Sequence, residues 1–189
     1  MLTCEERCAR AQRILNEKGL LDRLGRIGTP HVIGSCRMNM MAWNDLDIDV
    51  ENDAMTIDKL YDLSAWIQKT FRPTWYEAKE EVNDAGKTVW FHGFEAMIDG
   101  EKWNFDLWFF DRETIKKAEA YCDSVAQRAA NLPGARDAIL TIKQELIARR
   151  RYGFDDYASM DVYRAVLEQG IRTTEELLTR YVKQENCID

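Results

Sequence analysis

Histidine is nearly absent: His31 and His92 are the two in a chain of 189 residues. That scarcity argues against an imidazole-rich zinc site and against a histidine-based catalytic dyad. Proline is scarce as well, at three residues, so no proline-rich linker divides the chain. No apolar run approaches the roughly 20 residues of a membrane-spanning helix, and the polar first residues are unlike a signal peptide. Cys4, Cys8, Cys36, Cys122 and Cys187 are odd in number and irregularly spaced. Such a set reads as reduced thiols in a cytoplasmic protein rather than as a disulfide framework. Cys4 and Cys8 fall one helical turn apart without a second pair nearby, so zinc is not expected there. Positive charge is in deficit too, with a net charge of −7. An extended nucleic-acid-binding surface, which needs clustered Lys and Arg, is therefore not expected.

What is present centres on residues 31–53, HVIGSCRMNMMAWNDLDIDVEND. A short apolar run, His31-Val32-Ile33, ends on Gly34-Ser35. Eleven residues after Gly34 begins Asp45-Leu46-Asp47-Ile48-Asp49-Val50, an alternation of acid and aliphatic residues. Period-two alternation reads as a strand with Leu46, Ile48 and Val50 on the core face and the aspartates on the other. No Lys or Arg occurs between Arg37 and Lys59 to neutralise them. Aligned like charges repel, and Asp is a poor strand former. The bland reading is a solvated edge strand that uses charge to avoid aggregation; the functional one is a cation site, whose hard oxygen ligands suit Mg²⁺ rather than zinc.

The rest of the chain reads as an α/β (α+β) core over 1–111 followed by a helical region over 112–189. Thr3-x-x-Glu6 is a capping box opening a helix to about Leu24. Thr56 caps a second helix to about Thr70, with Leu60, Leu63 and Ile67 on its apolar face. Residues 74–110 form a β-meander, with strands near 74–82, 88–98 and 102–110 and turns at Asn83–Gly86 and Asp99-Gly100. The last strand is almost wholly apolar apart from Asp106, a carboxylate costly to ionise in a core without a partner. Helices follow near 112–130, 135–150, 159–169 and 174–185.

An apolar strand ending in Gly34-Ser35, then Asp45-Leu46-Asp47 preceded by Asn44, then a lone strand acid at Asp106, resembles the DNA polymerase beta-like nucleotidyltransferase superfamily. The resemblance covers about residues 28–110. It implies a nucleotidyltransferase-like mixed sheet flanked by helices and a helical C-terminal portion that helps bind the acceptor. It also implies transfer of a nucleoside monophosphate from an NTP to a hydroxyl, with release of pyrophosphate. Asp45, Asp47 and Asp106 would be the catalytic metal ligands for two Mg²⁺ ions, with Mn²⁺ as a substitute. Gly34 and Ser35 would approach the triphosphate of the donor, with ATP the donor expected, and Arg37 is the nearest cation for a phosphate clamp.

Where many relatives carry a further Gly or a basic residue past the Ser, this chain has Met38-Asn39-Met40-Met41. The register also leaves a second pair open, Asp47 with Asp49. Small enzymes of the superfamily modify aminoglycoside or lincosamide antibiotics, and the acidic net charge suits a cationic small-molecule acceptor. A protein or tRNA acceptor, or a non-catalytic module that binds a nucleotide or protein, are the competing readings. Cys36 reads as a small buried thiol, and Trp75, Trp90, Trp103 and Trp108 read as core before they read as stacking platforms. The Arg149–Arg151 run reads as cations complementing a helix C-terminus.

Overall fold

The computed structural model describes residues 2–83, 86–153 and 155–181. They pack as two compact units, Met1–Asp123 and Ser124–Asp189. The first opens with α1 (Cys4–Glu17), capped as the Thr3/Glu6 pattern predicts. Glu6 N donates to Thr3 Oγ1 at 3.2 Å, and Thr3 N donates to Glu6 Oε2 at 2.8 Å. A single helix to Leu24 does not form. Gly19 takes φ +73°, a left-handed conformation that ends α1, and a separate α2 (Leu20–Gly25) follows.

Next come β1 (Thr29–Val32), a one-turn helix α3 (Gly34–Arg37), β2 (Asp45–Glu51) and α4 (Ile57–Phe71). The meander appears as expected: β3 (Trp75–Val82), β4 (Thr88–Ile98) and β5 (Glu101–Phe110). Of its first turn, Asp84 and Ala85 lie outside the described residues. The five strands make one sheet in the order β1-β2-β5-β4-β3, in which β2 and β5 run parallel and the other neighbours antiparallel. Parallel pairing joins strands that are far apart in sequence, and here it sets Asp47 directly opposite Asp106.

Burial decides which face of β2 looks inward. Leu46, Ile48 and Val50 are fully buried, as are Phe105 and Leu107 of β5. α4 covers this side with Leu60, Leu63, Ile67 and Phe71; the Phe71 ring lies 5.1 Å from Phe94 and 5.4 Å from Phe105. Each such side chain is worth about 1.5–3 kcal/mol when buried, more than cross-strand repulsion between the aspartates takes away. His92 is buried on this core side, with Nδ1 2.8 Å from the Tyr76 hydroxyl. Burial lowers its pKa to about 4, so it is neutral and structural.

Helix α5 (Arg112–Asn131) carries the chain from the first unit into the second, which continues with α6 (Ala135–Ala148), α7 (Ser159–Glu168) and α8 (Thr174–Arg180). Thr173 caps α8 by accepting from Glu176 N at 3.2 Å. The expected extension of that helix to 185 falls mostly outside the described residues. Within this unit Arg149 pairs with Glu145 (3.4 Å) and Glu175 (2.7 Å), and Arg151 with Asp156. No described helix is long and apolar enough to cross a membrane.

Candidate active site

Alternation along two strands builds the site. Asp45 and Asp47 point off the polar face of β2, and Asp106 points off the same face of β5, in register with Asp47. One carboxylate oxygen from each of the three lies within 4.8 Å of the others. All three residues are half-buried. Asn104, in register with Asp45, donates from Nδ2 to Asp45 Oδ1 at 2.8 Å. Burial raises the pKa of Asp106, the nearby Glu77 charge raises it further, and the Asn104 amide opposes both. Mg²⁺ binds oxygen ligands at roughly 2.0–2.1 Å, so oxygens this far apart can share one ion with little adjustment. The donor set fits a hard divalent cation.

Asp49 does not join this group. It is 8% exposed and its pKa is pushed up to about 7 by burial, then by the charges of Asp47 and Glu119. Of the two pairs open in the sequence, the fold therefore converges Asp45 with Asp47 on Asp106. An acid whose folded pKa lies above its unfolded value binds its proton more tightly when native. Stability of the metal-free protein should then fall as pH rises from about 4 to about 7. Asp49→Asn is expected to stabilise that protein at pH 8 by on the order of 1–3 kcal/mol and to change little near pH 4. Urea unfolding at both pH values checks this; equal effects at the two would contradict it.

Gly34 begins α3 with φ +58°, and a Cβ built on it would lie 2.0 Å from Asp47 Oδ2. The backbone there has to be bare for the Asp47 carboxylate to rest against it. Ile33 N also donates to Asp47 O at 3.0 Å, which fixes the end of β1 beside the acid. Ser35 is 5% exposed, and its Oγ makes no hydrogen bond among the described residues. Asn44 Oδ1, next to Asp45, is likewise buried without a partner. Cys36 is the buried thiol expected, with its pKa up to about 11 through burial and then the charges of Asp47 and Cys4.

Arg37 sits differently from a free phosphate clamp. Its Nε and Nη2 bind the two carboxylate oxygens of Asp123 (2.9 and 3.1 Å), and Nη1 binds Glu119 Oε1 at 3.0 Å. The pairing raises the Arg37 pKa and lowers that of Asp123. His31 Nδ1 lies 3.2 Å from the same Glu119 oxygen. Nothing local in the sequence announces these partners, which come from a helix more than 80 positions away. Asn104 could have been found: it stands two residues before Asp106 as Asp45 stands before Asp47. Trp103 is core at 1% exposure. Trp108 is half-buried, shares the polar face with Asp106, and stacks on Phe110 at 5.5 Å. A cavity of about 510 Å³ opens at the far end of β2 and β5, lined among others by Asn52, Trp90 and Asp111 and by none of the three acids.

No protein-family model and no curated protein matches the chain. Solved structures do. A cytoplasmic RNA terminal U-transferase matches with a TM-score of 0.54 and 16% identity, over 85% of this chain and 47% of its own. The non-canonical poly(A) polymerase complex GLD-2–GLD-3 matches at 0.56 and 13%, over 96% of this chain and 61% of its own. The Cid1 poly(U) polymerase with Mg 3′-dATP bound matches at 0.55 and 16%, over 98% and 61%. The fold is a nucleotidyltransferase fold. These neighbours are polymerases of the DNA polymerase beta-like nucleotidyltransferase superfamily. This chain spans about half to three-fifths of their length. Within that fold, the acids of the β2/β5 strand pair lie beside the Gly34 turn that abuts Asp47.

Proposed function

We propose that this chain is a divalent-metal-dependent nucleotidyltransferase that transfers a nucleoside monophosphate from an NTP to a hydroxyl and releases pyrophosphate. The observation that carries the reading is the convergence of the Asp45, Asp47 and Asp106 carboxylates within 4.8 Å on the face that Gly34 leaves open. Bound Mg²⁺, two ions in the full reading, would neutralise phosphate charge and acidify the attacking hydroxyl. Asp45 and Asp47 would hold that metal from β2. Asp106, its pKa raised by burial, would complete the ligand set from β5 and would help remove the hydroxyl proton. The acceptor oxygen then bonds to the α-phosphorus as the bond to the pyrophosphate oxygen breaks. The Gly34 backbone and the Ser35 hydroxyl, which is buried and without a partner among the described residues, would contact the triphosphate. Arg37 contacts phosphate only by exchanging Asp123 or Glu119 for it, so its first role is to hold α3 in place.

The small-molecule acceptor expected from the sequence has no counterpart among the structural neighbours, which are named for RNA end or tail synthesis. The acceptor proposed here is accordingly the terminal hydroxyl of an RNA. Neighbours named for adding A and U make ATP and UTP the donors to try first. The test is extension of a labelled RNA oligonucleotide with each NTP and Mg²⁺ or Mn²⁺, alongside a panel of amine-bearing small hydroxyl compounds. RNA extension supports the proposal; labelling of a small compound alone would return the acceptor to the sequence expectation. No product with any pair, from folded protein, would favour a binding module without catalysis.

A further inference from the structure

A polyphosphate brings several negative charges to a site already lined by three carboxylates, and the one cation nearest in sequence, Arg37, is taken by Asp123 and Glu119. A second arginine is not taken. Arg7 on α1 is 6% exposed, and its Nε and Nη1 are shut off from solvent without a hydrogen-bond partner. It makes no ion pair among the described residues. Leaving a guanidinium buried and uncompensated is unfavourable, so a fold that keeps one there has a use for the charge.

The position of Arg7 follows from its helix neighbours. Residues 4, 7 and 10 fall three apart along one strip of α1. Cys4 Sγ accepts from Met41 N at 3.2 Å and lies 3.3 Å from Asn39 O. Arg10 Nη1 lies 2.8 Å from Glu101 Oε2, the same oxygen that stands 3.5 Å from Asn44 Nδ2. Arg7, between them, belongs to the strip of α1 that faces Met41 to Asn44. That segment joins the Gly34-Ser35 turn to Asp45. The two other polar atoms noted above as buried without partners, Ser35 Oγ and Asn44 Oδ1, bracket the same segment.

We infer that Arg7 is an anion-binding residue of this site, and that the polyphosphate of a bound nucleotide is the counter-charge it lacks in the empty protein. The identity of the ligand rests on the function proposed above; the need of Arg7 for an anion does not. Charge buried in a medium of low dielectric acts strongly on a nearby anion, and a guanidinium suits phosphate oxygens in particular. The arrangement has a signature that an ordinary structural arginine does not share. Removing the charge should help the empty protein and harm the liganded one.

The probes are inorganic tripolyphosphate, with and without Mg²⁺, and Mg·ATP. Arg7→Met keeps the length of the side chain and removes the charge. It is expected to melt at or above the wild-type temperature without ligand, and to bind tripolyphosphate at least about tenfold more weakly. Arg7→Lys, which keeps the charge but not the fork, should bind between the two. A lower melting temperature for Arg7→Met with unchanged tripolyphosphate affinity would overturn the inference, as would failure of Arg7→Met to fold. Wild type that binds tripolyphosphate through Arg7 yet transfers no nucleotide would sink the proposed function and leave this inference standing. Wild type that transfers nucleotide while Arg7→Met binds and turns over equally well would do the reverse.

Discussion

Asp47→Asn is expected to lower nucleotidyl transfer by at least about a thousandfold, ~4 kcal/mol of transition-state stabilisation, in a protein that remains folded. Asp47 is the common member of the cluster: it is opposite Asp106, two residues from Asp45 on the same face, and in contact with the Gly34 backbone. An amide keeps the shape of the side chain but gives up the charge and one metal-ligating oxygen. Without metal, three carboxylates within 4.8 Å repel one another, so the substitution should raise the melting temperature slightly in metal-free buffer. With Mg²⁺ and nucleotide present, wild type should gain stability by mass action while the variant gains little. Primer-extension rates and melting curves, with and without metal, read both halves. A variant that loses activity and also unfolds in metal-free buffer would point to a structural acid instead.

Gly34→Ala should be nearly as damaging to transfer, by a different route. The added Cβ would lie 2.0 Å from Asp47 Oδ2 and 2.8 Å from its Cγ, at a backbone φ of +58°. An L-residue in that conformation costs about 1–2 kcal/mol on its own, and the clash has to move either α3 or the Asp47 side chain. A displacement of about 1 Å at a reacting centre can cost on the order of a hundredfold in rate. The expected result is therefore a protein destabilised by about 2–3 kcal/mol in urea and at least about a hundredfold slower in transfer. Gly34→Ala with near-normal activity would show that Asp47 has freedom the geometry denies it.

Much of this arrangement is legible in the residues themselves because it is written locally. The alternation from Asp45 to Val50 and the Asp99-Gly100 turn define β2 and the β4–β5 hairpin with no help from distant contacts. The Thr3/Glu6 capping box does the same for the start of α1. The break at Gly19 is a different matter, since a glycine inside helix-favouring sequence does not declare whether it will turn left-handed. α3 is too short for any periodicity to register. The family resemblance implies Asp106 as a third metal ligand but not its place opposite Asp47, because parallel pairing across more than 50 residues has no local signature. The commitment of Arg37 to Asp123 and Glu119 was invisible for the same reason. So was the burial of Asp49, which shares its strand face with Asp47 yet is 8% exposed where Asp47 is half-buried. The acceptor is the furthest from the sequence of all: the acidic net charge suits a cationic small molecule, whereas the neighbouring structures are an RNA terminal U-transferase and a poly(U) polymerase.

The central claim is that these three acids hold a divalent cation. Its most direct measurement is a crystal soaked with Mn²⁺ and a non-hydrolysable ATP analogue, read by anomalous scattering at the manganese edge. The account predicts a peak bound by oxygens of Asp45, Asp47 and Asp106, with the analogue's phosphates completing the ligand shell and the peak gone in Asp47→Asn. Manganese bound elsewhere, or no peak at the triad under conditions that saturate the nucleotide, would contradict it.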